Sequence, residues 1–84
     1  MEFFVYILFS QSLDRYYIGS SHNIESRLIK HLQAHKGFTS RAKDWKIVYK
    51  ENYSNKKLAL KREKEVKNWK SRIMIEKLIS SADV

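Results

Sequence analysis

The stretch Phe3–Gly19, FFVYILFSQSLDRYYIG, limits the fold more than any other part of this chain. Phe3 to Phe9 is an unbroken apolar run rich in aromatic and β-branched side chains. A short run of this kind suits a strand buried on both faces better than a helix. Ser10 to Asp14 interrupts it and Arg15 to Ser20 reads as a second strand, so an antiparallel hairpin is expected. Side chains alternate along a strand, which puts Phe4, Tyr6 and Leu8 on one face and Phe3, Val5, Ile7 and Phe9 on the other. Tyr6 and Tyr17 share a face only if paired positions sum to an odd number, and the sequence leaves that register open.

Beyond Gly19, the segment Ser20–Asn23 turns into a helix, with Ser21 or Asn23 as its N-cap. Ile24, Leu28 and Leu32 recur at helical spacing, and Ile29 widens their stripe. Asn23, Arg27 and His31 form a second row beside it, three polar groups along one flank. His35 to Lys43 is a basic loop of small residues. Trp45, Ile47, Tyr49, Glu51 and Tyr53 alternate with Lys46, Val48 and Lys50, which predicts a third strand with one better-buried face. Ser54 is the expected cap of the next helix, where Leu58, Ala59, Val66 and Trp69 make the apolar arc. Arg62 falls inside that arc, Glu63 and Glu65 on its two flanks, and most of the lysines face outward. Ser71 starts a last helix, Arg72–Ile79, with Met74, Ile75, Leu78 and Ile79 buried. The order is ββαβαα, an α+β fold: a single domain over residues 1–80, with 81–84 as a flexible tail.

With no cysteine, disulfide frameworks and thiolate metal sites are excluded. The N-terminal MEFFVYILF has neither the basic start nor the cleavage site of a signal peptide and is too short to span a bilayer, so a cytoplasmic protein without a membrane partner is expected. A net charge of +8 on 84 residues favours polyanionic partners through phosphate contacts and counterion release.

The chain has no phosphate-binding glycine loop, no H-E-x-x-H helix and no cysteine nucleophile. What it offers is tyrosine, arginine, histidine and glutamate. Cleaving a phosphodiester needs an activated water, a cation near the phosphate and a group that protonates or stabilises the leaving oxygen. Those side chains meet the demand together with a bound divalent metal. Each also has a plainer reading: Tyr6 and Tyr17 as packing residues, Arg27 and His31 as a solvated flank, Glu63 as the partner of Lys67 at i+4. Periodicity alone does not choose between Glu63 and Glu65.

Taken together, the motifs resemble the GIY-YIG nuclease superfamily, in particular its small stand-alone bacterial members. The first motif stands as Phe4-Val5-Tyr6 and the second is intact as Tyr17-Ile18-Gly19. Asn23, Arg27, Leu28 and His31 match the family's N-x-x-x-R-L-x-x-H helix, and Gly37-Phe38-Thr39 its glycine and aromatic-threonine pair. Ala59-Leu60-Lys61-Arg62-Glu63 matches A-L-x-R-E, and Trp69–Arg72 resembles W-K-S-R. The resemblance implies a three-stranded antiparallel sheet flanked by helices and metal-dependent hydrolysis of DNA. It implies that Glu63 holds one Mg²⁺ or Mn²⁺ and that Tyr6 acts as, or assists, the general base. By the same likeness Tyr17 bonds the phosphate or a metal-bound water, Arg27 stabilises the phosphorane charge, and His31 moves a proton or orients Tyr6. A tyrosine is a poor base at neutral pH unless cations lower its pKa, and Arg27 and the metal are the cations at hand.

Two positions depart from the family pattern: Phe4 and Val5 replace the glycine and isoleucine of the first motif, and Asn68 is the one candidate for a late active-site asparagine. DNA is the expected partner, with RNA left open, through loop Lys36–Lys46 and helix Lys56–Lys70. Lys36, Arg41, Lys43, Lys46, Lys61, Lys64 and Lys67 are the foremost contacts. Sequence preference is expected to be weak, because the chain has no room for a separate recognition domain. A role in repair or recombination, no small-molecule cofactor, and a monomer or weak homodimer complete the expectation. The alternative is a nucleic-acid-binding module on the same scaffold that does not cut.

Overall fold

A computed structural model describes residues 2–33 and 42–81. Its elements run β1 (Phe3–Ser10), β2 (Arg15–Ser21), α1 (Ile24–Gln33), β3 (Lys46–Tyr53), α2 (Lys56–Asn68) and α3 (Arg72–Ser81). The three strands form one antiparallel sheet in the order β2-β1-β3. The unbroken apolar run is therefore the central strand, flanked on both sides and covered on both faces. Val5, Tyr6, Ile7 and Leu8 are each at most 1% exposed.

The two faces carry separate cores. Val5, Ile7 and Ile18 pack against Ala59 and Val66 of α2, with Trp69 and the α3 residues Ile75, Leu78 and Ile79 around them. Tyr6 and Leu8 pack with Ile24 of α1, Ala42 and Trp45, ringed by Tyr17, Leu28, Leu32 and Ile47. On α1, Ile29 does not widen the buried stripe; it is exposed, because the helix meets the sheet along the narrower Ile24–Leu28–Leu32 line.

Three local expectations are corrected. β3 does not keep one buried face, because a bulge between Ile7 and Leu8 of β1 leaves Val48 extra on β3. Trp45 and Ile47 consequently join the α1-side core, while Val48, Tyr49 and Tyr53 join the α2-side core. Asn55, not Ser54, caps α2, its side chain accepting from the Leu58 amide, and this leaves Leu58 outside the core. Met74 is exposed rather than buried on α3, and that helix runs to Ser81, one residue into the expected tail. Residues 82–84, like most of the His35–Lys43 loop with Gly37, Phe38 and Thr39, lie outside the described residues.

Arg62 explains its place within an apolar arc. Its guanidinium donates to Glu51 of β3 through Nε (2.9 Å) and an Nη (3.1 Å), to Glu65 at 2.6 Å, and stacks 5.3 Å from the Trp69 ring centre. Tyr49 and Tyr53 add their hydroxyls to the Glu51 carboxylate, and burial and this carboxylate push both phenols up to a pKa of about 12. Glu51, Val5 and Ser20 are paired across the sheet, so this cluster anchors α2 at the β3 end of that row.

Candidate active site

The register decides where the tyrosines go. Tyr6 pairs with Gly19 and Leu8 with Tyr17, so paired positions sum to 25 and both tyrosines lie on the α1 side of the sheet. Asn23 caps α1, its side-chain oxygen 3.0 Å from the Ser26 amide, and Ser21 accepts the Asn23 amide at 3.1 Å. Asn23 thus caps the helix, at the head of the row that Arg27 and His31 continue. Those two follow one and two turns later, facing the sheet from above.

His31 meets both tyrosines. Its Nε2 lies 3.1 Å from the buried Tyr6 hydroxyl, and its ring stands edge-on to Tyr17 at 4.7 Å between centres. Burial, then the positive charge of Arg27, holds the His31 pKa below the ordinary 6.5, so the imidazole is neutral at pH 7. Burial also raises the Tyr6 pKa above 10, and the neighbouring Arg27 only partly opposes it. Arg27 thus acts in the expected direction, but in the protein alone desolvation wins and Tyr6 is a neutral phenol.

Gly19 is what brings the hydroxyl to the edge strand. A Cβ there would sit 2.6 Å from the Tyr6 oxygen, 2.8 Å from Cζ and 3.2 Å from a Tyr17 ring carbon. The Tyr6 ring is rigid and fully buried, so it cannot step aside. Gly19→Ala is expected to cost about 1–3 kcal/mol by overpacking and to displace the hydroxyl from His31. Thermal unfolding and the His31 ring NMR shifts measure the two effects, and wild-type values for both would count against the close approach.

Glu63 reaches the same strand from the opposite face. Its Oε1 accepts the Ser20 hydroxyl at 2.5 Å and its Oε2 the Lys67 ammonium at 2.6 Å. Glu65 instead pairs with Arg62, and its side chain is 53% exposed against 16% for Glu63. Glu63 is therefore the carboxylate turned to the sheet, as well as the partner of Lys67. Tyr6 feels its charge, which adds to the upward pull on the phenol. The five groups thus straddle β2: Tyr6, Tyr17, Arg27 and His31 on one side, Glu63 on the other, with Gly19 and Ser20 between.

The expected basic contacts scatter. Lys36 and Arg41 lie outside the described residues. Lys43 donates to the Leu32 carbonyl at the end of α1 (2.8 Å), Lys67 is held by Glu63, and Lys46 is exposed at the start of β3. Lys61 and Lys64 border a shallow apolar groove with Lys57 and Leu60. A cleft of about 340 Å³ opens instead between the β2–α1 turn and the start of α2, lined by Phe3, Ser20, His22, Arg27, Lys30 and Lys56 among others. Sequence reasoning misses Ser20 and Lys30 as site residues. The i+3 spacing of Lys30 from Arg27 is the signal available for one, and the alternation Ile18–Ser20 for the other. Asn68 ends α2 in an exposed position.

The model of the GIY-YIG catalytic domain matches residues 2–77. This chain belongs to the GIY-YIG family. It carries a nuclease-type domain of an endonuclease family whose members generally depend on divalent metals and act on DNA. The solution NMR structure of the UPF0213 protein BH0048 from Bacillus halodurans is similar, with a TM-score of 0.59 and 28% identity over 95% of this chain and 84% of that one. Its likeness supports the GIY-YIG-like α+β fold described above. No curated protein matches the chain. No helix among the described residues is long and apolar enough to cross a membrane.

Proposed function

We propose that this protein is a metal-dependent endonuclease that hydrolyses DNA phosphodiester bonds with weak sequence preference, selecting branched or flapped structures in repair or recombination. The observation carrying this reading is the convergence of Tyr6, Tyr17, Arg27 and His31 on one face of the edge strand β2, with the Glu63 carboxylate meeting the same strand at Ser20 from the other face.

Glu63 would hold the divalent ion. Mg²⁺ and Mn²⁺ take oxygen ligands, and Mg²⁺ is commonly bound by one or two carboxylates, several waters and substrate phosphates. Among the described residues no group of three or more His, Cys, Asp or Glu forms a closed cage. One carboxylate with the Ser20 hydroxyl beside it fits such an open, substrate-completed site. The ion supplies charge neutralisation at the phosphate and a more acidic water.

The chain's own residues divide the remaining work. A neutral His31 in the tautomer protonated on Nδ1 would accept from the Tyr6 hydroxyl through Nε2. Tyr6 hands its proton to Nε2 as its oxygen takes one from the attacking water, so the phenol never needs to ionise in advance. Arg27 stabilises charge on the phosphorane oxygens, and Tyr17 donates to a phosphate oxygen. The exposed Lys46, Lys61 and Lys64 add non-specific attraction for the DNA backbone.

The test incubates the protein with branched, flapped and plain DNA in Mn²⁺ or EDTA. Nicking only with the metal is expected; binding without cleavage on every substrate would leave a non-cleaving nucleic-acid module. The pH profile adds a second check. His31 must be neutral to accept the proton and its pKa lies below 6.5, so kcat/KM is expected to fall only as pH drops below 6.5. A limb centred above that value would remove His31 from the proton path.

A further inference from the structure

We infer that the cleft between the β2–α1 turn and α2 seats the nucleotide next to the scissile phosphate, Lys30 and Lys56 holding its phosphate and the His22 ring facing its base. This rests on the nuclease reading above, because the cleft is placed by the residues it shares with that site. Ser20, which donates to Glu63, and Arg27, which lies beside Tyr6, line both. A strand that presents a phosphate to Glu63 and Tyr6 runs directly into it.

The chemistry of the walls fits one nucleotide. The volume of about 340 Å³ lies in the range of small-ligand pockets. Arg27, Lys30 and Lys56 place three cations around it, and no carboxylate lines it among the described residues. The ion pairs among the described residues involve Arg62, Lys67 and Arg72, so none of these three cations is neutralised by a carboxylate there. The Ser20 and Ser21 hydroxyls and the Asn23 side chain supply further polar groups. His22 is exposed and stands edge-on to Phe3 at 6.2 Å between centres (interplanar angle 68°), which braces its ring as a surface for a stacked base. The apolar groove along α2 has a similar volume and is bordered by Lys57, Lys61 and Lys64, but its lining holds no hydroxyl, amide or ring to meet a sugar or base.

The experiment is an amide NMR titration of the intact protein with a short oligothymidylate in EDTA, run beside the nicking assay in Mn²⁺. Shifts are expected at Ser21, His22, Ser26, Lys30 and Lys56, not at Lys61 and Lys64. Lys30→Ala with Lys56→Ala, both exposed and outside the catalytic group, is expected to weaken oligonucleotide binding roughly 10–100-fold. The same pair is expected to flatten the salt dependence by about 0.7 for each phosphate no longer neutralised. His22→Ala is expected to weaken binding about fivefold or more, without changing the salt slope. Nicking by the wild type with no shifts in the cleft, or with affinity unchanged in the lysine pair, overturns the cleft assignment and leaves the nuclease standing. Cleft shifts in a protein that nicks no substrate overturn the nuclease reading and leave a nucleotide-binding cleft.

Discussion

Glu63→Gln is expected to abolish metal-dependent nicking while leaving the fold and DNA affinity nearly unchanged. The substitution keeps the shape of the side chain and an oxygen able to accept from Ser20, but removes the charge that holds a divalent ion. A metal that stabilises several kcal/mol of developing charge corresponds to a fall of about 10³-fold in rate, at roughly 1.4 kcal/mol per decade. The change in stability is expected to be small, because the substitution breaks only the ion pair with Lys67, and Lys67 is about half exposed. Nicking rate in Mn²⁺, thermal unfolding and DNA binding in EDTA separate the three quantities. Full activity in this variant would dismiss Glu63 as the metal ligand; an inactive variant that also fails to fold would show that the carboxylate charge and its pair with Lys67 matter more as structure than as chemistry.

Much of this arrangement can be read from the residues alone, and the remainder fails for identifiable reasons. The run Phe3–Phe9 announces a strand covered on both faces, which is the condition of a central strand. The odd-sum rule states in advance what must hold for Tyr6 and Tyr17 to meet, but hairpin register depends on the turn, and Gln11–Asp14 is no two-residue turn of obvious type. There, Asp14 adopts a positive φ of 54° and Arg72 of α3 holds it, a contact 58 positions away that local reading does not see. The bulge at Val48 is equally silent in the alternation of β3. Arg62 looks misplaced in an apolar arc until Glu51 is known to lie under it. The same helix turn then puts Glu63 over Ser20 and Glu65 toward solvent, a choice that periodicity leaves even. The cleft is hidden for a related reason: Lys30 and Lys56 look like ordinary solvated lysines until two chain segments are brought side by side.

Tyr6→Phe is the sharpest test of the proton path. Phenylalanine keeps the ring that fills the α1-side core, so the packing of a fully buried side chain is preserved. What disappears is the hydroxyl 3.1 Å from His31. Leaving that nitrogen without this partner is expected to cost about 1 kcal/mol in stability. The catalytic effect is expected to be far larger, about 10²–10⁴-fold in kcat, the range for a positioned proton-transfer group. Because Tyr6 acts on the water rather than on bound DNA, kcat and kcat/KM should fall together with KM unchanged. The acid limb assigned to His31 should vanish as well, since an imidazole with no phenol to relieve has no proton to accept. A variant within a few-fold of wild type that retains that limb would mean that His31 takes the proton without Tyr6. The buried hydroxyl against Gly19 would then be an orienting group for the imidazole rather than the base.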